Sequence, residues 1–94
     1  MSREKTVEDT ETTNCLGTPH NVILFNDSHH SFDEVTLQII AAIRCSESRA
    51  SEIAMRAHSY GRAIVFTGAL ETCELKEAIL KSPPAQLRTA IEKA

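Results

Sequence analysis

The apolar run Val22-Ile23-Leu24-Phe25 breaks off at Asn26-Asp27 and gives way to Ser28-His29-His30-Ser31. An unbroken apolar run of this length reads as a short strand with no polar face, one that has to be buried. It stops at adjacent amide and carboxylate groups just ahead of a helix cap. Acceptor groups therefore stand on the lip of a small domain, a setting suited to a cationic ligand.

The remaining elements follow from punctuation and periodicity. Ser31-Phe32-Asp33-Glu34 is a capping box, in which the Ser31 hydroxyl and the Glu34 carboxylate each reach a backbone N–H of the other. Acids in that first turn also suit the helix dipole. The helix it opens carries Phe32, Val35, Ile39, Ala42 and Ile43 on one stripe, widened by Leu37 and Ile40, and ends near Cys45. A second helix is predicted from Ser46 or Ser48 to Tyr60, stopped by Gly61. Its stripe, Ala50, Ile53, Ala54 and Ala57 with Met55 beside it, is made mostly of small side chains. Such a stripe lets another element come close or leaves room for something else, and His58 lies on its margin. Arg62–Thr67 reads as a buried strand, and Gly68-Ala69-Leu70-Glu71 opens a third helix. Leu70, Cys73 or Glu74, Leu75, Ala78 and Ile79 continue it to about Lys81, where Ser82-Pro83-Pro84 halts the hydrogen-bond ladder. Leu87–Glu92 alternates with period two, as an edge or half-exposed strand would. The order β-α-α-β-α-β predicts an α+β fold: a compact two-layer sandwich of a three-stranded antiparallel sheet with three helices.

Composition narrows the function classes. Ninety-four residues make one domain with a small core. A net charge of −3 argues against a nucleic-acid partner held by a basic surface. No apolar run approaches the ~20 residues that cross a bilayer, so no membrane partner is expected, and no signal-peptide core is visible. Cys15, Cys45 and Cys73 are odd in number and lack C-x-x-C spacing, which disfavours a disulfide framework or structural zinc and points to a reducing compartment. Residues 1–18 are charged, Thr-rich and poor in large apolar side chains, and read as a flexible extension to a core over 19–94.

No Gly-rich phosphate loop, nucleophile elbow or H-E-x-x-H motif is present. The one dense polar constellation is Asn26, Asp27, His29 and His30, with His58 as a distant member. Three readings fit those residue types. The histidines and Asp27 could ligate a metal, Asp27 and His58 could act as an acid–base pair, or Asn26-Asp27-Ser28 could form an Asx-type turn with His58 packed against the sheet. On composition alone the turn is favoured.

The same residues resemble a known family. Val22-Ile23-Leu24-Phe25-Asn26-Asp27, a helix, and then Ala57-His58-Ser59-Tyr60-Gly61-Arg62-Ala63-Ile64 are similar to ClpS, the adaptor of the bacterial and plastid Clp protease. In that family an apolar strand ends in Asn-Asp, and a His is followed by two residues, Gly, Lys or Arg, and Ala. The resemblance runs from about residue 20 to residue 94, through the final Ile91-Glu92-Lys93-Ala94. It implies a non-enzymatic, monomeric adaptor without cofactors. Such an adaptor binds proteins with a free N-terminus and a large hydrophobic first residue (an N-degron) and delivers them to the N-terminal domain of a ClpA-type AAA+ unfoldase. The implied compartment is the bacterial cytoplasm, or the plastid stroma.

By the same resemblance, Asn26, Asp27 and His58 ring the ligand's α-amino group. That group is mostly a cation at neutral pH and needs acceptors in fixed geometry, which an amide carbonyl, a carboxylate and a neutral imidazole nitrogen supply. The positions matching the family's hydrophobic pocket are His30, Phe32, Val35, Ala54, Ala57 and, from the last strand, Leu87. The family commonly carries Thr, Met, Met and Val where this chain has His30, Phe32, Ala54 and Ala57, so two walls are trimmed while Phe32 fills or gates the pocket differently. Glu71 and Lys76 match positions that contact the unfoldase. The third helix and its following loop look about four residues shorter than usual, and Ser28 replaces an acid after the Asn-Asp pair. These departures suggest a divergent branch with shifted specificity. The alternative within the family is a regulator that binds the unfoldase without N-degron recognition.

Overall fold

Strand β1 (His20–Phe25) takes the centre of a three-stranded sheet, between β2 (Arg62–Gly68) and β3 (Thr89–Lys93), both antiparallel to it. This computed structural model describes residues 18–26 and 29–94. Of the features read from sequence, the extension before Thr18, Cys15 and Asp27 lie outside the described residues. The central place of β1 follows from its sequence, since a strand with partners on both edges and no polar face is the one to be buried. Val22, Ile23 and Leu24 all are. Helices α1 (Phe32–Ile43), α2 (Glu47–Tyr60) and α3 (Leu70–Lys81) complete the order β-α-α-β-α-β.

Val22 and Leu24 point into a core shared with Ile39, Ile53, Val65 and Leu80. Ile23, on the opposite face by strand alternation, lies outside that cluster. Its burial has a separate cause. Arg62 stands opposite Phe25 and Glu92 opposite Asn21, and the two side chains meet at 2.6 Å. This ion pair joins the two outer strands across β1 and brackets Ile23. The Phe25 ring on the same face carries the guanidinium groups of Arg88 and Arg62 at 5.2 and 5.8 Å. A register shift between Val22 and Ile23 makes a bulge in β2, which turns Val65 and Phe66 toward the helices together.

The helix ends are built largely as the sequence predicts. Glu34 N–H donates to Ser31 Oγ at 3.1 Å and Ser31 N–H to Glu34 Oε1 at 2.8 Å. Helix α1 closes at Ile43, with Arg44 in the left-handed region. Ser46 caps α2 by accepting from the Arg49 N–H, and Gly61 ends it at φ 87°, a conformation that favours glycine.

The buried faces of two helices differ from the expected stripes. On α1 the buried residues are Thr36, Gln38, Ile39 and Ala42, while Leu37 is exposed. Gln38 is drawn inward because its Nε2 donates to Ile79 O at 2.8 Å and Ser82 O at 2.9 Å, adding a donor from a second helix to carbonyls at the C-terminal end of α3. On α3 the buried pair is Cys73 and Leu80, whereas Leu70, Leu75 and Ile79 are all exposed. Glu77 lies between them on the inner side, where its carboxylate accepts from Thr89 Oγ1 at 2.9 Å and pairs with Lys81 at 3.4 Å. A third correction concerns Leu87, which precedes β3 instead of belonging to it. Gln86 has φ 53°, and the Leu87 N–H donates to Leu80 O and not to the sheet. The inward alternation of Leu87, Thr89 and Ile91 nonetheless holds.

Cys45 and Cys73 are free thiols, and burial pushes the Cys73 thiol above its ordinary value. Gln38→Leu keeps the volume but removes one donor from each of two carbonyls, Ile79 O keeping the Ser82 N–H and hydroxyl and Ser82 O keeping the Gln86 N–H. We expect it to lower stability by about 0.5–1.5 kcal/mol, seen as a lower urea midpoint with an unchanged slope.

Candidate ligand-binding cleft

The site begins with two backbone hydrogen bonds at the end of β1. The Phe25 N–H donates to Arg88 O at 3.0 Å, and the Asn26 N–H to Gly61 O at 2.9 Å. The first holds the end of the central strand against the segment that carries Leu87. The second ties it to the C-cap of α2, one turn after His58. Local signals that end a strand and a helix are thereby brought to one place.

A cleft of about 580 Å³ opens there. Strand β1 contributes Leu24 and Phe25, the segment after it Asn26 and His30, and α1 contributes Phe32 and Val35. Helix α2 supplies Ala54, Met55, Ala57 and His58, and Leu87 closes the far side. Leu24, Ala54, Ala57 and Leu87 are buried, whereas Asn26 and His58 are exposed. The cleft thus has an apolar floor and polar groups on its rim. The last turn of α2 adds the negative end of a helix dipole beside His58.

Every described residue expected at the amino-group site and the hydrophobic pocket lines this one cleft: Asn26, His58, His30, Phe32, Val35, Ala54, Ala57 and Leu87. Asp27 lies outside the described residues. Sequence reasoning missed Leu24, Phe25 and Met55 as lining residues. For Met55 the signal was present, since it follows Ala54 and precedes His58 by three positions, which places it on the same side of α2.

The packing of His58 against the sheet, expected if the polar cluster were only a turn, is not found: His58 is exposed on the rim. Among the described residues no group of three His, Cys, Asp or Glu side chains is placed to hold a metal ion. Glu71 and Lys76 stand apart from the cleft on α3. Glu71 is exposed in the first turn, and the Lys76 ammonium rests 5.6 Å from the centre of the Phe66 ring. Among the described residues no helix is long and apolar enough to cross a membrane.

The family profile described as ATP-dependent Clp protease adaptor protein ClpS matches residues 17–88. The chain belongs to the ClpS family. Among solved structures it is similar to ClpS2 of Agrobacterium tumefaciens bound to L-phenylalaninamide, with a TM-score of 0.76 and 25% sequence identity. That likeness covers 82% of this chain and 98% of the Agrobacterium one. No curated protein matches the chain at a significant level. Membership makes this ClpS-family chain a Clp protease adaptor, and the cleft is the feature of its fold that remains to be given a ligand.

Proposed function

We propose that this adaptor recognises proteins by a free N-terminus bearing a large hydrophobic first residue and hands them to a Clp unfoldase. The observation that carries the reading is the union in one cleft of a buried apolar floor with Asn26 and His58 on its rim. An N-terminal residue has the complementary chemistry, a cation next to an apolar side chain. Its ammonium group would be held by the Asn26 carbonyl, the Asp27 carboxylate and a His58 ring nitrogen, close to the negative end of α2. Its side chain would enter between α1 and α2. L-phenylalaninamide, the ligand in the Agrobacterium ClpS2 structure, has this combination of a free amino group and an apolar side chain.

The chain performs no chemistry on its cargo in this reading and uses no cofactor. It works as a monomer in the bacterial cytosol or the plastid stroma. Its protease partner is the N-terminal domain of a ClpA-type unfoldase, met through Glu71 and Lys76.

Fluorescence anisotropy with a labelled peptide beginning with Leu or Phe tests the site. We expect saturable binding, and a loss of about tenfold or more for Asp27→Ala and for His58→Ala. Both would remove an acceptor of a charge-assisted hydrogen bond. His58 is exposed, so its replacement leaves the fold intact. A chain that binds the unfoldase domain but none of these peptides would instead be a regulator.

A further inference from the structure

Resting on that reading, we infer that the cleft selects aromatic first residues over leucine, tryptophan foremost, with Phe32 and Met55 as the residues that determine the choice. On α2 the deep wall consists of Ala54 and Ala57, both buried and each presenting a single methyl group. The space in front of them belongs to the cleft. Phe32 is 42% exposed and Met55 52% exposed, so both stand at the mouth, one on α1 and the other on α2. The resulting volume of about 580 Å³ lies well inside the range of ~300–1,000 Å³ that buries a drug-sized ligand.

An isobutyl group entering this space leaves much of it unfilled, and an unfilled apolar gap forfeits dispersion contacts. A flat ring system reaches further and meets the mouth on both sides. Phe32 offers it an offset or edge-to-face partner, and the Met55 thioether offers a polarisable sulfur that favours aromatic contact. Half-exposed apolar groups at a mouth also gain burial when a guest arrives, in proportion to the area the guest covers. An indole covers the most. All three contributions therefore rank the ligands in the same order.

Competition by L-tryptophanamide, L-phenylalaninamide and L-leucinamide against a labelled Phe-led peptide tests the inference. Tryptophanamide is expected to bind about tenfold or more tightly than leucinamide, with phenylalaninamide between them. Phe32→Leu should cut the tryptophan-to-leucine ratio by about threefold or more, and Ala57→Val, which refills the wall, should cut it too. The Phe32 substitution lies at the half-exposed mouth, so its result stands even if the buried Ala57→Val variant folds poorly. Equal or tighter leucinamide binding overturns the inference, as does a ratio that Phe32→Leu leaves unmoved. N-acetyl-tryptophanamide separates the two levels of the argument. If it competes as well as the free amide, recognition of the N-terminus itself is wrong. If it fails to compete while the free amides bind alike, only the aromatic selectivity is.

Discussion

A peptide that begins with phenylalanine is expected to lose about a hundredfold in affinity once its α-amino group is acetylated. Acetylation removes the positive charge and two of three N–H donors, and it adds a methyl and a carbonyl where the rim presents acceptors. The apolar side chain is untouched, so the change isolates the rim from the floor. Removing one partner of a hydrogen-bonded charge pair costs about 2–5 kcal/mol, and each 1.4 kcal/mol is tenfold. The sign of the pH dependence follows from the same picture. A free α-amino group has a pKa of about 7.7–8.0, and it is the protonated form that the acceptors bind. Apparent affinity should therefore fall as pH rises through 8 and 9, toward tenfold per unit. Anisotropy titrations of the free and acetylated peptides at pH 7, 8 and 9 check both points. Affinity that rises with pH would exclude an ammonium as the recognised group.

Leu80→Ala carries the largest expected loss of stability. Leu80 is completely buried (0% exposed) and lies in the central core cluster. With Cys73 it makes up the buried face of α3. Its carbonyl also receives the Leu87 N–H, so the same turn fixes the segment that closes the cleft. Truncating a fully buried leucine costs about 2–5 kcal/mol, set against a typical total of about 5–15 kcal/mol for a small domain. The variant is expected to unfold at a much lower urea concentration. Leu75→Ala, on the same helix at 67% exposure, should change stability by no more than about 0.5 kcal/mol. If Leu75→Ala proves the more damaging of the two, α3 packs with a different face inward.

That comparison touches what could and could not be read from residue order. The element sequence, the capping box at Ser31, the Gly61 stop and the buried stripe of α2 were all legible, because each rests on neighbours within about one helical turn. The alternation at Leu87, Thr89 and Ile91 was legible for the same reason. The faces of α1 and α3 were misjudged where polar side chains turn inward. Gln38 is buried because α3 ends beside it with carbonyls that accept from its amide, and Glu77 faces the inner side because Thr89 donates to it. A hydrophobic pattern records no such partners, so Leu37 and Leu75 were expected inward where Gln38 and Glu77 stand.

The strand that ends just before Asn26, the helix that ends after His58, and the small side chains at Ala54 and Ala57 are properties of local sequence. Their union in a cleft is not. It depends on antiparallel pairing of β1 with β2, on the Asn26 N–H reaching Gly61 O, and on the Phe25 N–H reaching Arg88 O. The placing of Phe32 and Met55 at the mouth, away from the floor, was likewise decided by how α1 and α2 pack. Contacts between residues far apart in the chain form only when the whole core closes, and no local propensity encodes the distance between them.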